Sequence, residues 1–368
     1  MTAPTTDAVL AALEGVIDPD LGQNIVALGF ITRCEVTPEG AVSVVINLTT
    51  PACPVKDEMR EQARGLIAAL DGVTSVDVEM TAEVRRPDGP AREAAKDVKQ
   101  IVAVSSGKGG VGKSTTAVNL ACALAKTGAR VGLLDCDVHG PDVPMMMGLN
   151  GSPEQREIEG KQTLIPKVGP GGVKTMSIGY LIPDDQPVIW RGPMVHSFIR
   201  QMLTDVLWGE LDYLILDMPP GTGDVPLTMS QLLSVTGAVI VCTPQKVAQD
   251  DAVRAVRMFQ QLGIDILGVV ENMSEFIGDD GKHYDIFGKG GAERMAQRMG
   301  LPFLGDVPIN TSLRANSDKG DPSANFKAKT AGGDALPTAL EKLAQNLESQ
   351  VALAELRQGK TKPKLTIS

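Results

Sequence analysis

The sequence predicts a doubly wound α/β domain with a mainly parallel sheet, preceded by a small α+β domain. Three observations carry this. After residue 100, runs that are apolar on both faces alternate with helical stretches, as strands covered by helices on two sides must. One such run, Ile101 to Val104, leads through a glycine-rich turn into a helical stretch, "VAVSSGKGGVGKSTTAVNL". Before it, "RRPDGPAREAAKDVK" carries two prolines and a glycine with no apolar face, which marks a linker. The boundaries that follow are 1–84 for the small domain, 85–99 for the linker, 100–357 for the large domain and 358–368 for a polar tail.

In the small domain, "TTDAVLAALEGV" has helical spacing. "GFITRCEV" and "AVSVVINL" are β-branched runs joined by "TPEG", the pattern of a hairpin. "PVKDEMREQARGLIAAL" reads as an amphipathic helix and "VTSVDVEMTAEV" as a strand, giving the order α-β-β-α-β. In the large domain the strands are "QIVAVSS", "RVGLLD", "VKTMSIG", "YLILDMP", "AVIVCTP", "ILGVVENM" and "PFLGDVP". Ligands of such sheets bind at the carboxyl ends of the strands. Near the end of the chain, Leu340, Leu343, Leu347 and Val351 form one helical stripe, expected to dock on the sheet.

Composition narrows the function classes. A net charge of −10 disfavours a nucleic-acid surface, and 3% aromatic residues leave no platform for stacking bases. No stretch has the uninterrupted apolar length of a membrane span, and Glu341, Glu348 and Glu355 give the last helix the wrong sign for an anionic lipid surface. The N-terminus lacks the basic and apolar regions of a signal peptide, so a cytoplasmic location is expected. Five cysteines, Cys34, Cys53, Cys122, Cys136 and Cys242, are scattered singly and read as free thiols of a reducing compartment.

The segment Gly107 to Ser114 fits G-x-x-x-x-G-K-[ST] between a strand and a helix, the setting of a phosphate-binding loop. Backbone N–H groups of Gly107, Lys108, Gly109, Gly110, Val111, Gly112, Lys113, Ser114 and Thr115 would cradle the phosphates of ATP. Lys113 would bridge the β- and γ-phosphates, and the Ser114 hydroxyl would ligate Mg2+. Asp217 ends an apolar strand before a Pro-Pro-Gly turn, where a carboxylate can hold a water of the metal shell. Asp135 ends another strand and has either a direct role or a structural one, bonding loop amides.

The loop "GKGGVGKST" carries a second lysine, Lys108, and with it resembles the deviant Walker A loop of the MinD, ParA, nitrogenase iron protein and Mrp class of ATPases. That resemblance implies a homodimer in which Lys108 reaches the partner's nucleotide. "LLDCDVHGPDVPMMMGL", "VIWRGPMVHSFIRQML", "LDYLILDMPPGTGDVPLTMSQ" and "VVENMS" are similar to the Mrp/ApbC branch, the iron–sulfur cluster carriers. "VIDPDLGQNIVALGFI" and "NLTTPACPVKDEM" resemble the small iron–sulfur assembly domain fused to bacterial members. The resemblance implies Asp137 as the switch residue that orients the attacking water and contacts Mg2+ with Asp217. It implies Asn272 as the residue that reads adenine; the bland alternative is an ordinary turn residue. It also implies apo iron–sulfur clients or assembly factors as partners, with neither nucleic acid nor membrane.

The chain departs from the family at one point. Relatives often carry C-x-x-C after "NMS", whereas here the segment reads "ENMSEFIGDDGKHYDIFG" and no cysteine follows Cys242. Asp279, Asp280 and His283 stand there as oxygen and imidazole donors. Cys122 and Cys242 read as core residues. Cys53, before a helix N-terminus that favours the thiolate, and Cys136, between Asp135 and Asp137, are the candidate cluster ligands, with His139 and His283 as weaker donors. The expected function is a cluster carrier that hydrolyses ATP. The alternatives are a MinD/ParA-like positioning ATPase and an adaptor ATPase that binds no cluster itself.

Overall fold

The computed structural model describes residues 3–18, 23–48, 56–82, 95–158, 160–182, 192–221, 223–278, 282–327, 333–357 and 366–367. The chain forms two compact units, one of residues 1–85 with 352–368 and one of residues 86–351.

In the first unit, helix α1 (Thr6–Leu13) starts at Thr5, whose side chain accepts from the Ala8 N–H. The hairpin is present as β1 (Ile31–Val36) antiparallel to β2 (Ala41–Leu48). Helix α2 (Lys56–Ala68) then returns the chain so that β3 (Ser75–Ala82) pairs parallel to β2. Thr366–Ile367 adds a parallel strand beside β1. Alternation along β2 puts Val42, Val44 and Ile46 in the core with Met59, Ala63 and Ile67 of α2.

The second unit holds a nine-stranded sheet. Its parallel strands are β4 (Val98–Ser106), β5 (Val131–Asp135), β6 (Lys174–Ser177), β7 (Leu211–Asp217), β8 (Gly237–Cys242), β9 (Ile266–Ile277) and β10 (Phe303–Ile309). Their order across the sheet is β6-β5-β7-β4-β8-β9-β10. Among the described residues only Lys167–Val168 and His283–Tyr284 join it antiparallel. The apolar runs are explained: every residue of β5, β7 and β8 is buried. Strand β4 lies centrally, so the chain leaves it in one direction for β5 and comes to its other side with β8. That reversal opens a crevice at the carboxyl end of β4.

The last helix, Ala335–Arg357, buries the expected stripe, with Leu340, Leu343, Leu347 and Val351 each at most 3% exposed. Asn346 donates to the Leu304 carbonyl of β10 and Lys126 pairs with Glu341. An exposed hairpin, Glu154–Ile158 with Lys161–Ile165, was not foreseen, because its residues are too polar to read as strands. Among the described residues no helix is long and apolar enough to cross a membrane.

Candidate functional site

The crevice is floored by the ends of adjacent strands. Register pairs Asp217 of β7 with Val104 of β4 on one side and with Asp135 of β5 on the other, and Asp135 with Ser177 of β6. Three adjacent strands therefore end side by side in polar groups at the same height.

From the end of β4 the chain turns through residues 107–112 into helix α3 (Lys113–Lys126). Gly110 and Gly112 have φ of 78° and 80°, a left-handed backbone that glycine adopts without strain. Gly107 is needed for a different reason: a Cβ there would sit 2.1 Å from a backbone carbon of Asp251, in the helix Lys246–Gln261. The Asn272 side chain donates to the Val111 carbonyl at 2.8 Å, and its amide nitrogen fills the space beside Gly112. Asn272 is buried against the loop, where one amide N–H is committed to the backbone. The neighbouring Met273 holds a positive φ of 58°, strained for a side chain of its size.

The two lysines of the loop differ in surroundings. Lys113 is buried, 2.6 Å from Asp217 Oδ1, 3.6 Å from Asp137 Oδ2 and 3.2 Å from Ser114 Oγ. Burial alone would push its ammonium down, but the charges of Asp217, Asp137 and Asp135 outweigh that and hold it above the ordinary lysine range. Lys108 is half-buried and forms no ion pair among the described residues. Its carbonyl accepts from Ser106 Oγ at 2.9 Å, which fixes the backbone and leaves the ammonium unpaired.

Asp217 is fully buried, with the Ser114 hydroxyl beside it, and its Oδ2 meets no partner at hydrogen-bond geometry among the described residues. Burial pushes its carboxyl up, with Lys113 opposing. Asp135 is raised further, by burial and then by the charge of Asp217. Three carboxylates thus crowd one ammonium, an arrangement short of positive charge. An orphaned carboxylate oxygen with Ser114 Oγ and Asp137 nearby is the hard oxygen donor set that suits Mg2+. The left-handed glycine turn at a helix N-terminus is the cradle that suits phosphates. The residues present fit both groups.

Asp135 takes the structural role. Its Oδ1 accepts from the Asp137 N–H at 3.0 Å, and its Oδ2 from Ser177 Oγ at 2.9 Å and the Val143 N–H at 3.3 Å. Nothing in the sequence singles out Ser177, which lies within the run "VKTMSIG" between Met176 and Ile178.

The thiols correct one expectation. Cys136 does not face the crevice as a ligand: it is fully buried in the core, with Sγ directed to the Leu134 carbonyl. Burial raises its thiol well above the usual range and pushes Cys122 and Cys242 up to about 12. Cys34 is also buried, in the core of the first unit, and raised. None of these four thiols is placed to become a thiolate that binds iron. Cys53, Asp279 and Asp280 lie outside the described residues. His139 is exposed, and His283 is engaged with Glu275 at 2.9 Å. Among the described residues no three His, Cys, Asp or Glu side chains gather as a metal site.

Comparison with known proteins gives the family of the chain. Residues 97–347 match the family described as NUBPL iron-transfer P-loop NTPase, and residues 6–79 the family described as iron-sulfur cluster assembly protein. An "iron-sulfur cluster carrier protein" of Synechocystis is 47% identical over 355 residues, 96% of this chain and 99% of that one. One of Deinococcus radiodurans is 45% identical, over 95% of this chain and 97% of the relative. One of Escherichia coli is 45% identical, over 73% of this chain and 72% of the relative. Among solved structures, a nucleotide-binding protein of Archaeoglobus fulgidus in complex with ADP superposes with a TM-score of 0.54 at 38% identity, covering 62% of this chain and 90% of that one.

Proposed function

This chain belongs to the iron-transfer P-loop NTPase family, and on that premise we propose that it is a cytoplasmic carrier of iron–sulfur clusters. In this reading it binds and hydrolyses ATP with Mg2+ and delivers clusters to apo-proteins as a nucleotide-gated homodimer. The observation that carries the ATPase part is the Lys113 ammonium held at 2.6 Å by a buried Asp217 whose second oxygen has no hydrogen-bond partner among the described residues. Such a pair is poised to exchange: Lys113 turns to the β- and γ-phosphates, and Asp217 and Ser114 turn to the metal shell.

Each residue has one task. The backbone N–H groups from Gly107 to Thr115 bind phosphate oxygens, with the α3 N-terminus adding its partial positive charge. Ser114, Asp137 and Asp217 would hold Mg2+, which when bound would supply positive charge against the phosphates. Asp137, fixed through its own N–H by Asp135, orients the attacking water. Asn272 holds Val111 and keeps one N–H and its carbonyl for the adenine edge. Lys108, which forms no ion pair among the described residues, delivers its charge to the nucleotide of a second copy.

The cluster is cargo, and its ligand on this chain is proposed to be Cys53. The support is chemical: the four other thiols are buried and raised, while Cys53 precedes α2, whose first turn begins at Lys56. A cluster of iron and sulfide usually takes four protein ligands, so one thiolate per chain gives a labile complex. Anaerobic reconstitution followed by iron and sulfide analysis checks this. Wild type is expected to take up iron that Cys53→Ser loses, while Cys122→Ser retains it. Equal, stoichiometric loading of wild type and Cys53→Ser would remove Cys53 as ligand. No loading of either would favour the second reading, an assembly ATPase acting on clusters held by another protein, which the missing C-x-x-C also supports.

A further inference from the structure

We propose that Ser177 is a positioning residue for Asp137, acting through Asp135; the inference rests on the ATPase reading above. Ser177 ends β6, is fully buried, and touches neither the loop 107–112 nor Lys113 through any described hydrogen bond. Its hydroxyl donates to Asp135 Oδ2 at 2.9 Å and accepts from the Gly179 N–H at 3.0 Å. Asp135 in turn receives the N–H groups of Asp137 and Val143, which bracket the segment that follows the water-orienting carboxylate. One buried carboxylate therefore joins the end of β6 to both ends of that segment.

A second contact ties the same two pieces together. The turn Ile178–Tyr180 presses on the segment, because a Cβ on Gly179 would meet Pro144 at 3.0 Å and Pro141 at 3.3 Å. Without the Ser177 hydroxyl, Asp135 Oδ2 keeps only the longer bond from Val143, and the carboxylate is free to swing away from the Asp137 N–H. Asp137 would then lose its fixed distance to Lys113, now 3.6 Å. Because the glycine turn is untouched, nucleotide binding is preserved while the chemical step slows. A displacement of an orienting group by about 1 Å costs up to about a hundredfold in rate.

The test compares wild type, Ser177→Ala, Asp137→Asn and the double variant in single-turnover hydrolysis of Mg–ATP, together with ADP titration and thermal melting. Ser177→Ala is expected to lower the hydrolysis rate about tenfold, with ADP affinity and KM changed less than about twofold. In the Asp137→Asn background the same change is expected to add nothing, because the two residues act on one step. Ser177→Ala with wild-type turnover would overturn the inference. So would a parallel loss of rate and ADP affinity, which would mean a general collapse of the site, or full additivity with Asp137→Asn. A wild type that hydrolyses no ATP would overturn the ATPase reading and this inference together, whereas a hydrolysing wild type matched by Ser177→Ala overturns this inference alone.

Discussion

Lys113→Ala is expected to lower ATP hydrolysis by about a thousandfold or more, and Asp137→Ala to do nearly the same. The two losses have different physical origins. Removing Lys113 takes away the charge that stabilises the transferring phosphoryl group. It also leaves Asp217 buried without its counter-ion at 2.6 Å. Breaking a buried pair from one side costs about 3–5 kcal/mol, so this variant is expected to melt earlier as well. Asp137→Ala leaves the Lys113–Asp217 pair in place and removes only a carboxylate 3.6 Å away. It should fold and bind ADP like wild type while failing to turn over. Steady-state phosphate release, with melting curves and ADP titration beside it, separates the two. Normal turnover in either variant would sink the site assignment.

Lys108→Ala is expected to keep nucleotide binding and lose most hydrolysis, by a factor of about a thousand if Lys108 acts as a finger from a second copy. The contrast between the two lysines supports this. Lys113 is committed to carboxylates of its own chain, whereas Lys108 has its backbone fixed by Ser106 and its ammonium unpaired among the described residues. Light scattering with a non-hydrolysable ATP analogue reads the effect: wild type is expected to dimerise and Lys108→Ala to remain monomeric. The same oligomeric state for both with the analogue would show that Lys108 does not act across a dimer.

What was legible in the sequence follows from the kind of information each feature needs. Strands β5, β7 and β8 are buried on both faces, so their apolar runs stand out one residue at a time, as do the acids that end β5 and β7. The glycine turn is equally local, because its φ values are set by the residues that carry them. Adjacency to Asp135 and Asp137 in the chain suggests Cys136 as a ligand but says nothing of the side on which the thiol points, and it points into the core. Asn272 was expected at adenine; its bond to Val111 joins residues far apart in sequence that only the sheet order brings together. Ser177 was silent for the same reason, since its meaning depends on register with Asp135 in a neighbouring strand.

Cluster transfer tests the central claim most directly. Protein reconstituted anaerobically with iron and sulfide is mixed with an apo-enzyme whose activity requires a [4Fe–4S] cluster, with and without Mg–ATP, and the recovered activity is followed in time. A nucleotide-gated carrier is expected to activate the apo-enzyme at a rate that Mg–ATP changes severalfold, with Lys113→Ala insensitive to the nucleotide. Activation at one rate for wild type and Lys113→Ala, with or without Mg–ATP, would contradict the account.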